Sequence, residues 1–243
     1  MRCPRCGREQ EDGGEACRHC GLFFAKFRPR PARPAGERGQ VPSGWSRGRA
    51  WLRERMFQVS PCANRPLVVL RALGLMVLAA WGLRLLAYGP DRPELMASFL
   101  HWIHLPFHEA GHVVFSPFGE FLHILGGTMG QLLVPLVVLG AFLRQEDPFG
   151  ASFGAWWLGT SLMDCAPYVN DARARVLPLI SGVTGMEDWE GHDWYQILSR
   201  TGLLAWDHRL ARCFWLAGVL VVLGALVWGG YVLVRQWGFG TDD

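Results

Sequence analysis

The chain has 243 residues, half of them apolar, a mean hydropathy of +0.13 and a net charge of +3. Its apolar residues gather into repeated uninterrupted runs of about 20, which excludes an ordinary soluble globule. The small net charge conceals an asymmetry, because residues 1–65 are polar and basic while every long apolar run follows residue 66. A small soluble head followed by a membrane body is the organisation this implies.

Residues 1–20 carry no apolar core, so no cleavable signal is visible and the N-terminus is expected in the cytosol. Cys3-Pro-Arg-Cys6-Gly7 and Cys17-Arg-His-Cys20-Gly21 are two C-x-x-C-G knuckles. Two thiolates held two residues apart on a tight turn reach the same tetrahedral ion, so Cys3, Cys6, Cys17 and Cys20 predict a closed, structural zinc site. His19, between the second pair, is the alternative ligand. The head, residues 1–27, resembles a zinc ribbon. At that size it buries little core, and the metal would supply most of its folding energy. A protein partner for it is one reading among several.

Residues 28–65 form a Pro/Gly/Arg-rich linker and juxtamembrane segment, with Arg28, Arg30, Arg33, Arg38, Arg47, Arg49, Arg53 and Arg55 opposed by Glu37 and Glu54. It reads as a cytosolic flank that holds the first span by the positive-inside rule, in preference to a nucleic-acid-binding segment. Residues 66–243 then predict an all-α polytopic membrane helix bundle of about five spans, at 67–88, 95–118, 121–143, 150–169 and 214–234. The fourth is weaker than the others and richer in small residues. Alternation from a cytosolic N-terminus puts 170–212, with its five arginines, inside and the C-terminus outside, in a bacterial cytoplasmic membrane. A short helix is expected near 192–199.

The second span contains His108-Glu109-Ala110-Gly111-His112. Two imidazoles four residues apart project from one helix face and grip one ion, and the adjacent glutamate is placed to take a proton from water activated there. Ionisable groups deep in an apolar span cost roughly 2.5–3.5 kcal/mol each, so such a cluster marks a function. His101 and His104 extend the stripe, with Pro106 between, and read as interfacial histidines. A catalytic zinc needs a third protein ligand. Asp164, at matching depth in the fourth span, is the choice; Asp171, Glu120, His123 and His192 follow.

The His108–His112 run, the Gly126-Gly127 pair opening the next span and an aspartate in a later span resemble the site-2-protease-like intramembrane zinc metalloproteases. The resemblance covers residues 95–171. It implies zinc ligands His108, His112 and Asp164, Glu109 as general base, and Gln131 near a substrate-holding position. Cys165 follows Asp164 where the family has glycine. The expected activity is hydrolysis of a peptide bond in a membrane protein or hydrophobic peptide, with one catalytic and one structural Zn2+. The alternative is a metal-binding membrane protein without catalysis: a transporter, a sensor or a scaffold.

Overall fold

A computed structural model of the protein describes residues 1–3, 9, 11, 14–16, 24, 44–59 and 64–238. It divides into two units, Met1–Ser43 and Gly44–Asp243. In the first, Arg2 and Glu9 form an isolated antiparallel bridge and Cys3 is buried. Cys6, Cys17 and Cys20, the other expected ligands of the head, lie outside the described residues, as does the linker up to residue 43.

The second unit is helical: α1 (Gly44–Phe57), α2 (Arg65–Leu86), α3 (Phe99–Phe115), α4 (Glu120–Arg144), α5 (Pro148–Asn170), α6 (Asp193–Arg200) and α7 (Asp207–Gly238). Local chemistry sets the starts. Asn64, Ser98 and Asp147 each turn a side-chain oxygen onto a backbone N–H three residues on, and Pro66 and Pro148 occupy first-turn positions where no N–H is needed. α1 belongs to the bundle and not to the linker, because Arg55 pairs with Glu146 and the Trp228 indole N–H donates to the Met56 carbonyl at 2.9 Å.

Among the described residues, three helical stretches are long and apolar enough to cross a membrane: Arg65–Leu86, Glu120–Arg144 and Leu204–Gly238. α5 is the central helix, and 15 of its residues are buried. A helix enclosed by others has no lipid-facing surface to keep apolar, which is why its sequence is weaker in hydrophobicity and richer in Gly, Ser and Thr. Its core with α2, α3 and α7 is built from Leu85, Leu100, Trp156, Met163, Trp215 and Val222.

Contacts fix the direction of each helix. Arg71 of α2 meets Asp147 at the start of α5, at 3.2 Å, while Gly82 lies against Trp156 and Val222 further along. α2 therefore runs with α5 and against α7. α3 begins beside Trp81, which stacks on Phe99 at 5.9 Å, and ends with His112 beside His123 in the first turn of α4. α3 thus continues in the sense of α2, with residues 87–98 as an interruption between them. The expected spans at 67–88 and 95–118 form an out-and-back pair, whereas α2 and α3 run in the same sense. At 17 residues α3 is also short of the roughly 20 that a lone crossing needs. The beginning of α2, the α4–α5 turn and the end of α7 share one end of the bundle. The opposite end carries the α3–α4 turn and residues 171–206, tied by Arg200–Glu120 and Arg173–Asp207, both at 2.7 Å.

Candidate metal centre

α3 and α4 approach until their backbones touch. A Cβ on Gly111 would strike the Gly126 carbonyl, and one on Gly130 would strike the Phe107 carbonyl. Only glycine permits this spacing, and it is the spacing that sets the imidazoles of α3 over the surface of α4. Gly127 completes the cradle: a Cβ there would lie 2.5 Å from both His108 Nε2 and His112 Nε2. The two nitrogens can turn toward α4 because residue 127 has no side chain.

Both rings have their other nitrogen committed. His112 Nδ1–H donates to the His123 carbonyl at 2.8 Å, and His123 Nδ1–H returns a bond to the His112 carbonyl at 2.8 Å. His108 Nδ1–H donates to Gln131 Oε1 at 3.3 Å. With Nδ1 protonated, Nε2 of each ring is the nitrogen that, on giving up any proton it donates to Asp193, offers a lone pair to a metal. Both Nε2 atoms face one carboxylate, Asp193, whose Oδ2 lies 2.9 Å from His108 Nε2 and 3.3 Å from His112 Nε2. These three side chains form a group able to hold a metal ion, their ligand atoms lying within 4.8 Å of one another. Burial acts to raise the Asp193 pKa, but the hydrogen bonds and charge of His108 and His112 outweigh it and hold the carboxyl below its usual range. It is therefore ionised, as a ligand must be.

The carboxylate beside His108 and His112 is Asp193, and not the expected Asp164. Asp164 lies nearer the start of α3, buried, where its Oδ2 accepts from His101 Nδ1 at 3.1 Å, His104 Nδ1 at 3.1 Å and Gln131 Nε2 at 2.9 Å. Gln131, expected near a substrate-holding position, is buried at the cavity wall, where its Oε1 accepts from His108 and one of its Nε2–H groups donates to Asp164. The remaining aspirants also have other duties. Asp171 accepts from the backbone N–H of Val176 and Leu177 and from His192 Nε2. His192 caps α6, with Nδ1 accepting from Tyr195 N–H. Glu120 pairs with Arg200, and His123 braces His112.

Asp171 and His192 explain how Asp193 reaches the histidines. They close the segment 171–192 on itself at the end of α5, and Tyr168 adds its hydroxyl, which donates to the Gly191 carbonyl at 3.2 Å and accepts from Asp193 N–H at 3.3 Å. Asp193 thereby starts α6 directly beside the end of α3. The helix is the short one expected near 192–199, but nothing in the sequence reading gives its first residue a role. The available signal is the His192-Asp193 pair at a helix start, a polar cap beside the buried Trp194.

Comparison with family models, with curated proteins and with solved structures finds no match for the chain.

The centre opens into a cavity of about 490 Å³ lined by α3 from His101 to His112, by Asp164 and Tyr168 of α5, and by Leu177–Ile180 of the segment before α6. Glu109 lies on its wall, half-buried, and among the described residues makes no hydrogen bond or ion pair. A carboxylate next to the paired imidazoles, facing a cavity, with its lone pairs uncommitted, is available for proton transfer. The rest of the wall is largely apolar, including Met96, Trp102, Leu105 and Ile180.

Proposed function

We propose that this chain is an integral membrane zinc metalloprotease acting on a membrane protein or hydrophobic peptide. The observation that carries the reading is the convergence of His108 Nε2, His112 Nε2 and the Asp193 carboxylate in a cavity whose wall also holds Glu109. Three protein ligands of this N/N/O type suit zinc and leave a fourth position open, the arrangement of a hydrolytic and not a structural site. Zinc held there supplies Lewis acidity toward a water and a peptide carbonyl. Glu109 takes the proton that the attacking water gives up and delivers it to the departing amine. The apolar wall binds the flanking residues of an extended substrate and excludes bulk water. Asp164 and Gln131 do not touch the reacting atoms.

The direction of the helices supports a bilayer reading with four crossings. α2 and α3 together make one interrupted crossing, and α4, α5 and α7 make the others. Irregular backbone at membrane depth is tolerated where it borders a water-filled cavity, and Pro93, Met96 and Ala97 of the interruption line this one. With the end that holds Arg53, Arg55, Arg65, Arg71, Arg144 and Arg235 in the cytosol of a bacterium, the metal centre lies toward the opposite face, and so do 170–212 and their five arginines, which alternation of five spans would put inside.

The test is zinc-loaded protein in nanodiscs, presented with fluorogenic peptides derived from membrane segments. Glu109→Gln is expected to keep one zinc at the membrane site while cleavage falls about 10²–10⁴-fold. Cleavage undiminished by this substitution would sink the protease reading. Zinc bound without any turnover by the unaltered protein would favour a non-catalytic transporter, sensor or scaffold.

A further inference from the structure

We propose that Asp164 is a positioning residue that fixes the tautomer of His108 through Gln131; the inference rests on His108 being a metal ligand. The two rings of the centre are braced differently. His112 Nδ1 faces a backbone carbonyl, which only accepts, so its Nδ1 proton follows from the fold alone. His108 Nδ1 faces a primary amide, which is able to accept or donate. Were the Gln131 amide turned over, its NH2 would point at Nδ1. The His108 proton would then move to Nε2, on the side of the metal.

Asp164 removes that freedom. An ionised carboxylate accepts only, so Gln131 must offer it Nε2–H, 2.9 Å away, and must present Oε1 to His108. His101 and His104 hold the carboxylate in place by donating from Nδ1 to the same oxygen. The chain of bonds passes through three helices, from α5 to α4 to α3, and each link admits one orientation once Asp164 is charged. Asp164 thus acts on a ligand without being one, and its burial at 4% exposure has a purpose other than contact with the metal.

The proposal is tested on the full-length protein by two readouts, histidine 15N NMR without metal and zinc affinity by chelator competition. Metal-free wild type should show His108 Nδ1 fully protonated, whatever Nε2 carries opposite Asp193. Asp164→Asn places an amide there that both donates and accepts. It should leave Nδ1 bare in part of the population and weaken zinc about 10–100-fold. Adding Gln131→Glu to it moves the carboxylate one link along the chain. The new carboxylate at position 131 then accepts from His108 Nδ1–H and from the amide at position 164, and both readouts should return to within a few-fold of wild type. A residue that merely fills space would give no such rescue. If Asp164→Asn does not fold, Gln131→Met, which removes both bonds at similar volume, is expected to show the same partial loss of the Nδ1 proton and the same weakened zinc. An unchanged His108 Nδ1 signal in these single variants, or a double variant no better than Asp164→Asn, overturns the proposal. The NMR readout needs no metal, so a protein that fails to bind zinc at all would count against the metalloprotease and leave the relay standing.

Discussion

Gly127 is the residue on which the metal centre depends most sharply. It contributes no ligand, yet a single methyl there would collide with the two imidazole nitrogens that face Asp193. Gly127→Ala is expected to lower zinc affinity at the membrane site by about 100-fold, the upper end of what indirect supports of a metal contribute. The rings must also turn aside to admit the methyl, so the variant should unfold more easily by about 1–3 kcal/mol. Zinc titration of the variant checks the first effect, and unaltered affinity would show that the ion lies elsewhere. At this scale the sequence is informative about the imidazoles and silent about the carboxylate. Four-residue spacing on a helix is a local property, so His108, Glu109 and His112 are readable as a set. The partner of such a pair is chosen by tertiary packing, and depth matching favours Asp164. The structure instead gives Asp164 to His101 and His104, and brings in Asp193 from the start of a short helix outside the apolar runs.

The elements around the site owe their placement to polar ties outside the apolar core. Residues 171–206 join α5 to α7, and their return is fastened by Arg173, whose guanidinium donates to the buried Asp207 at 2.7 Å. The other oxygen of that carboxylate accepts from the His208 backbone N–H at 2.7 Å, so both of its oxygens are engaged. Asp207→Asn keeps the shape and removes the charge. It should lower the thermal midpoint by about 2–4 °C, the shift that one kcal/mol makes in a domain of this size. Arg173→Gln should cost a similar amount, and the double variant should lose less than the sum of the two. Thermal scans of the four proteins in detergent measure this, and strictly additive losses would exclude the pair as the source. The helices themselves are largely legible in the sequence, since caps such as Ser98 and Asp147 and apolar runs of helical length are local signals. The interruption at 87–98 reads as an exposed turn, because sequence reports that a helix stops and not whether the next one turns back.

For the whole molecule, the proposed four crossings follow from the sense of α3, where the sequence predicts about five. An odd count places the two chain ends on opposite sides of the bilayer, and the four-crossing reading places them on the same side. Epitope tags at residues 1 and 243 should be digested together or protected together when intact and permeabilised spheroplasts are treated with protease. One tag digested and the other protected in intact spheroplasts would restore five crossings. The membrane character of the chain is plain from its apolar runs, but its topology is not, because positive-inside counting presumes that consecutive spans alternate.

Of the three groups proposed to hold the metal, the carboxylate is made long after the two imidazoles. His108 and Asp193 are 85 residues apart, and the segment that brings the carboxylate to the imidazoles is tied at the end of α5 by Asp171 and His192. A ribosome-bound chain emerging from the membrane insertion machinery thus holds at most two of the three ligands until Asp193 has been synthesised. On the metalloprotease reading, peptide-bond hydrolysis is withheld through that interval, so nascent neighbours in the bilayer are spared until the enzyme has finished building itself.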